Sequence, residues 1–322
     1  MSTANLIPET WNLQGDDARE TLLRTGRFRL FRDAFKRLRL ADGFSHARSI
    51  AFLLSLLFIE GVIALVGLAS VLGSGGLSDA IVRGLQTAVP GPAGRILTQA
   101  VSQAHRAGTG ARYVALWAAL GAALVTGTTL LGQLERGMNR LYGVEQDRPT
   151  LRKYGNAFLL LCSAGVLGAL GFLCLALGNV VGSAFNNDAV GTMWDIARWP
   201  AGLLFITAAV MLVLRRAPNR RQPGWSWLAM GAVLAVGLWV VVTVAVGLFF
   251  SVSSTFGRTY GPLAGIVALL LWTYASSAAV LYGVSVAAQL EAVRAGVPAP
   301  QSTEKAAAQP ARQLASVGGP ER

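Results

Sequence analysis

Six long stretches of the chain are apolar on every face, and short charged segments separate them. They run over residues 49–73, 113–132, 157–182, 197–214, 227–250 and 263–288, the fourth being the shortest. A helix rises about 1.5 Å per residue and the bilayer core is about 30 Å thick, so about 20 apolar residues suffice to cross it. A half-buried strand would alternate apolar and polar positions, and an open sheet would leave its edge unpaired in lipid. The pattern predicts an all-α polytopic membrane protein, a six-transmembrane-helix bundle. Residues 1–48 then form an N-terminal segment with a basic amphipathic helix, 49–290 the membrane domain and 291–322 a tail. The tail is rich in Ala, Pro, Gln and Ser without an apolar period and is expected to be disordered.

Composition agrees, with 53% hydrophobic and 14% charged residues, far from soluble averages. The net charge of +12 raises the possibility of a nucleic-acid surface, and its distribution argues against one. Lys and Arg number 9 before the first span, then 5, 4 and 4 in alternate segments, against 4, 1 and 1 in the segments between. That asymmetry is the positive-inside pattern and places both termini in the cytoplasm. The basicity is therefore an orientation signal, and no nucleic-acid partner is expected. The polar N-terminal segment is unlike a signal peptide, so the first span should remain in the mature protein. Cys162 and Cys174 both fall in the third span, about 18 Å apart along a helix, and read as packing residues. Neither a metal nor a cofactor is expected.

Before the first span, Phe28, Phe31, Phe35 and Leu38 recur at helical spacing among Arg24, Arg27, Arg32, Lys36 and Arg39. This helix either lies on the inner leaflet against anionic lipid headgroups or packs beneath the bundle; the first is favoured. Small residues such as Gly165, Gly168 and Gly171 suit close helix contacts. Between the second and third spans, Leu134, Met138, Leu141 and Tyr142 form an apolar stripe, with Glu135, Arg136, Asn139 and Arg140 on the other side. The second helix should continue along this stripe and turn near Gly143 and Pro149. Trp199, Trp225 and Trp227 read as interfacial anchors.

The segment "RGMNRLYGVEQDRPTLRKY" resembles the stretch after the second helix of the YihY/BrkB family of bacterial inner-membrane proteins, through Asn139, Tyr142, Glu145 and Arg148. "TYGPLAGIVALLLWTYASSAAVLYG" is similar to that family's last helix, through Tyr260, Gly261, Trp272, Tyr274 and Gly283. The resemblance covers residues 40 to 291 and implies six helices with both termini inside, a role in envelope integrity and, for some members, transport. It also brings an old ribonuclease BN label. The chain departs from the family where Ser285, Ala287 and Gln289 replace an acid, an Asn and a second acid, and where Glu60 lies near a usual proline.

Nuclease chemistry needs grouped carboxylates or histidines. The two histidines, His46 and His105, are expected on opposite sides of the membrane, so no enzyme is expected. Glu60 is the one carboxylate deep in a predicted span; an ionised group there is costly. It is a candidate for proton or ligand coupling, or a structural group facing a helix across Ala64 and Gly67. On the last helix Tyr274, Ser277, Ser285 and Gln289 share a side and either line a polar path or bond to nearby backbone, the latter favoured. The expected function is support of the envelope by transport of an amphiphile or small solute; the alternative is a membrane scaffold for envelope partners.

Overall fold

The computed structural model describes residues 3–10, 12–71, 109–183, 188–252, 262–297 and 299–301. His105, Arg106, Arg258, Tyr260, Gly261, most of the loop after the first span and the tail beyond residue 301 lie outside them. The described helices are α1 (Gly15–Thr25), α2 (Arg27–Leu40), α3 (Gly43–Val71), α4 (Thr109–Tyr142), α5 (Thr150–Leu160), α6 (Val166–Ser183), α7 (Asp188–Arg216), α8 (Trp225–Val252) and α9 (Pro262–Arg294). A π-helical turn, Leu161–Gly165, joins α5 and α6 into one span. Six spans are long and apolar enough to cross a membrane, as the hydrophobic pattern predicts. The third begins at Thr150 and the fourth at Val190, earlier than their apolar runs. Hydropathy marks the lipid-facing stretch, whereas hydrogen bonding carries a helix on into polar sequence.

Around the bundle the neighbours run α4, α3, α9, α8, α7 and α6. Lipid is as apolar as the helix faces, so association depends on close packing, which small residues allow. A Cβ at Gly283 would lie 2.6 Å from Ala235 Cβ and 2.7 Å from the Gly231 carbonyl oxygen, and α8 meets α9 there. A Cβ at Gly171 would lie 2.8 Å from the Gly202 oxygen, which brings α6 onto α7.

One end of the bundle, here the basal end, carries the N-terminal segment, the α4–α5 and α7–α8 loops and the end of α9. A helix leaves its last four carbonyls without intrahelical donors, and all four of α4 find partners. Val144 N–H donates to Asn139 O, Ala4 and Gly143 N–H to Arg140 O, and Ile7 N–H to Tyr142 O. The Arg37 guanidinium donates to Leu141 O at 3.2 Å. Residues 3–10 thus cross the basal end as a strap, with Ala4 and Ile7 buried. Gly143, at φ +80°, ends α4 where a Cβ would strike Leu6.

The α2 helix packs on α9: Ser285 Oγ donates to Ala34 O and Tyr282 OH to Phe31 O. Its buried face is Leu30, Ala34, Arg37 and Leu38, while Phe28 is 80% exposed. This corrects the expected apolar stripe, because hydrogen bonds to α9 fix the helix by its Ala34 side and turn Phe28 outward. Trp227 is likewise buried, as part of the main hydrophobic core, unlike the interfacial anchor the sequence suggests. Glu135 and Asn139 are buried as well, since the loops fold over the side of α4 that carries them.

Gly283→Leu should separate α8 from α9 and cost about 1–3 kcal/mol or more, the usual range for overpacking. Thermal unfolding of purified protein would record it as a lowered midpoint, whereas Gly237→Leu, where a Cβ meets nothing within 4 Å, should change the midpoint little.

Candidate functional site

Two constellations stand out, a polar knot at the basal end and an apolar cavity within the bundle. The knot centres on Glu291, fully buried near the end of α9. It accepts from Arg220 Nη2 at 2.6 Å and from Thr10 Oγ1 at 2.6 Å. The Arg220 guanidinium also lies 4.7 Å from the centre of the Tyr142 ring. Nearby, Arg37 donates from Nε to Gln289 Oε1 at 2.9 Å and from Nη2 to Asn5 Oδ1 at 3.2 Å. Burial, partly offset by Tyr142 and Glu291, lowers the Arg37 guanidinium from its ordinary range to about 10, so it remains a cation at neutral pH.

The α4–α5 loop supplies the rest. Asn139, fully buried, donates from Nδ2 to Asp147 Oδ1 at 2.9 Å and accepts from Asn219 N–H at 2.8 Å. Arg148 pairs with buried Glu135 at 3.2 Å and donates to Arg216 O, Ala217 O and Pro218 O. A cation on the carbonyl end of α7 also complements the helix dipole. Asp147 accepts from Arg136 and Lys153. Burial works to raise its carboxyl, but the bonds from Asn139, Lys153 and Arg136 hold it down at about 2 against an ordinary 3.8.

Above the knot lies a cavity of about 490 Å³ lined by all six spans, within the range of roughly 300–1,000 Å³ that ligand pockets occupy. Its walls are almost wholly aliphatic and aromatic; Ser276 and Ser277 bring the hydroxyls. Ser277 Oγ donates to Thr273 O, whereas Ser276 Oγ is buried with no hydrogen-bond partner among the described residues. Toward the far end Phe58 meets Phe172 and Trp272 edge to face, with ring centres 5.3 and 5.2 Å apart. Those rings join a second core of Val62, Val66, Val246, Phe250, Ala268 and Leu269. Apolar walls of this kind hold hydrocarbon in preference to water. The arrangement therefore suits an apolar occupant.

The sequence-predicted residues divide between these places. Trp272 and Ser277 line the cavity. Ser285 and Gln289 belong to the basal end, bonded to α2, and half-buried Tyr274 packs on the basal core. Glu60 faces α4, where Thr126 Oγ1 donates to it at 3.0 Å; it is absent from the cavity wall, although its neighbour Gly61 lines it. The four candidates Glu60, Ser277, Ser285 and Gln289 thus do not form one path. Of the motif positions, Asn139, Tyr142 and Arg148 meet in the knot, Glu145 is exposed, and Gly283 is the α8–α9 contact. Sequence reasoning passes over Arg37, Asp147, Arg220 and Glu291. Their signal was charge in segments where charge is expected anyway.

Removing one partner of a buried ion pair costs about 3–5 kcal/mol, because the other is left unpaired. Glu291→Ala should lower stability by that order, and the Glu291→Ala/Arg220→Ala double variant should recover part of the loss; no recovery in a double-mutant cycle would refute the coupling. The Asp147 carboxyl sits lower in the folded protein than in the unfolded chain. Its contribution is therefore present above pH 3.8 and lost as the pH falls toward 2. Asp147→Asn should cost on the order of 1–2 kcal/mol at pH 7, discounted for partial solvent access. Thermal unfolding across this pH window should show the gap from wild type closing.

A family model described as virulence factor BrkB matches residues 34–309. The ribonuclease-like protein YfkH of Bacillus subtilis (strain 168) is 25% identical over 171 residues, covering 50% of this chain and 60% of its own. UPF0761 membrane protein azo3165 of Azoarcus sp. (strain BH72) is 29% identical over 209 residues, 65% of this chain and 50% of its own. A UPF0761 membrane protein of Stenotrophomonas maltophilia (strain R551-3) is 29% identical over 191 residues, 58% and 42% respectively. The chain spans about half the length of these curated relatives. No solved structure matches it. A match over most of the chain, six apolar spans and bacterial relatives named as membrane proteins lead to one assignment: the chain belongs to the virulence factor BrkB family and is a multi-pass bacterial membrane protein.

Proposed function

We propose that the protein moves an amphiphile across the plasma membrane and thereby supports the cell envelope, with both termini in the cytoplasm. The observation that carries this reading is the apolar cavity bounded by all six spans, with the polar knot toward one end and the Phe58–Phe172–Trp272 cluster toward the other. Moving a solute between two sides requires a chamber inside the bundle. A scaffold has no use for one, and its core would gain from closing the space. The orientation rests on the Lys and Arg asymmetry of the connecting segments.

The activity we propose is transport without catalysis. Among the described residues no three His, Cys, Asp or Glu side chains come together in a group able to hold a metal ion, and the cavity wall carries no titratable group. The outward side of α2, with Phe28 80% exposed and Arg29 and Arg32 largely exposed, suits contact with anionic headgroups. In this scheme Glu60 is a clasp between α3 and α4, bonded to Thr126.

Liposomes containing the purified protein should move headgroup-labelled phospholipid between leaflets faster than empty liposomes. Glu60→Gln should keep that activity, because an amide still bonds Thr126. Gly61→Phe should lose it while remaining folded, since a Cβ at Gly61 meets nothing within 4 Å and the ring would fill the cavity. Wild-type protein no faster than empty liposomes would overturn the amphiphile reading.

A further inference from the structure

The cavity wall is not equally tight all round. On the basal side α4 packs on α5 and reaches the π turn, where a Cβ at Gly127 would lie 2.8 Å from Leu161 Cδ1. Beyond that contact α4 leans on α3 and hardly touches α6. Both sides of the resulting seam reach the cavity, α4 through Gly127, and the π turn and α6 through Gly165, Gly168 and Ala169. Outside it stand exposed apolar side chains within the spans, among them Leu124 and Val125 on α4 and Val166 and Leu170 on α6. Across a membrane-spanning segment these side chains face hydrocarbon, so the medium next to the seam is acyl chain and not water.

From this we infer that the cavity is a binding site for one acyl chain of a bilayer phospholipid, which enters sideways between α4 and α6 and leaves its headgroup outside. The proposal rests on the transport reading only in taking the cavity as the working site, and it narrows the substrate to a lipid. Three features agree. Small residues on the α6 side of the seam leave room for a chain to pass. The walls offer only apolar contact over most of their surface, and an apolar space of this kind holds hydrocarbon in preference to water. The rings of Phe58, Phe172 and Trp272 stand in the cavity wall, which fits a hydrocarbon chain lying against them. The α4–α6 junction is also where the helix is least regular: the π turn offsets α5 from α6, so a helix that follows α4 at its base departs from it above.

The test uses the full chain in liposomes containing phosphatidylcholine with a photoactivatable diazirine at the end of one acyl chain. After illumination, mass spectrometry of the peptides should place label on buried cavity-lining positions such as Leu130, Ala164 and Ser276, besides the lipid-facing surface. Gly61→Phe should lose the internal label and keep the surface label at Val233 and Val241, both exposed on α8. Gly237→Phe, on the exposed side of α8, should keep both. Label confined to surface positions in the wild type, or internal label unchanged by Gly61→Phe, would overturn the site. Internal label without lipid movement between leaflets would keep the site and refute transport, whereas movement without internal label would do the reverse. The wild-type pattern decides the matter even where a variant fails to fold.

Discussion

The buried ion pair between Glu291 and Arg220 is the contact on which the basal end turns. Helices in hydrocarbon gain little from hiding apolar faces, because lipid already solvates them. A carboxylate with no exposed surface must have a partner, and Arg220 reaches it only if the α7–α8 loop folds under α9. That placement lays the guanidinium on Tyr142 at the end of α4 and brings Thr10 of the strap to the same carboxylate. Four segments distant in sequence are thereby tied at one point. Such pairs are poor sources of net stability; their effect here is to specify which ends meet.

The same logic explains why so many cations are buried in a membrane protein. Helix ends leave carbonyls in need of donors, and at the basal end several lie too deep for water. Arg37 serves the end of α4 through Nη1, and Arg148 serves the end of α7 through both Nη1 and Nη2. Arginine suits this work because its planar fork presents five donors and keeps its charge when desolvated. Asn139 does the neutral equivalent, joining two loops through one amide. With the base fixed in this way, the helices above are free to diverge, and the cavity occupies the space they leave.

How much of this was legible in the sequence depends on the kind of signal. Period and length revealed the six spans, and Gly143 with Pro149 marked the end of α4, because lipid imposes those rules on each segment separately. The tertiary partners were not visible. Nothing local distinguishes buried Arg37 from exposed Arg39, and only the docking of α2 on α9 through Ala34 decides between them. Phe28 misled for the same reason, since aromatic spacing on a helix does not say which face another helix will claim. Glu60 drew attention as an acid in a span, yet the cavity opens beside it at Gly61, a residue with no chemical signature.

That last contrast bears on where function resides in this chain. The motif positions that carry the family resemblance, Asn139, Tyr142, Arg148 and Gly283, close the base or bring two helices together; they establish the fold. The cavity is built from glycines, aliphatic and aromatic side chains and two serine hydroxyls, whose value comes from shape. Shape arises from the whole arrangement and leaves no motif. A site for a hydrocarbon chain requires little else, since such a ligand presents no hydrogen-bonding group to be matched. The strap and α1 lie ahead of the family match, which begins within α2 at residue 34, yet the strap meets Glu291, Arg37 and the end of α4. The family's part of the chain thus supplies the ring of helices, while a segment outside that match helps to seal its base.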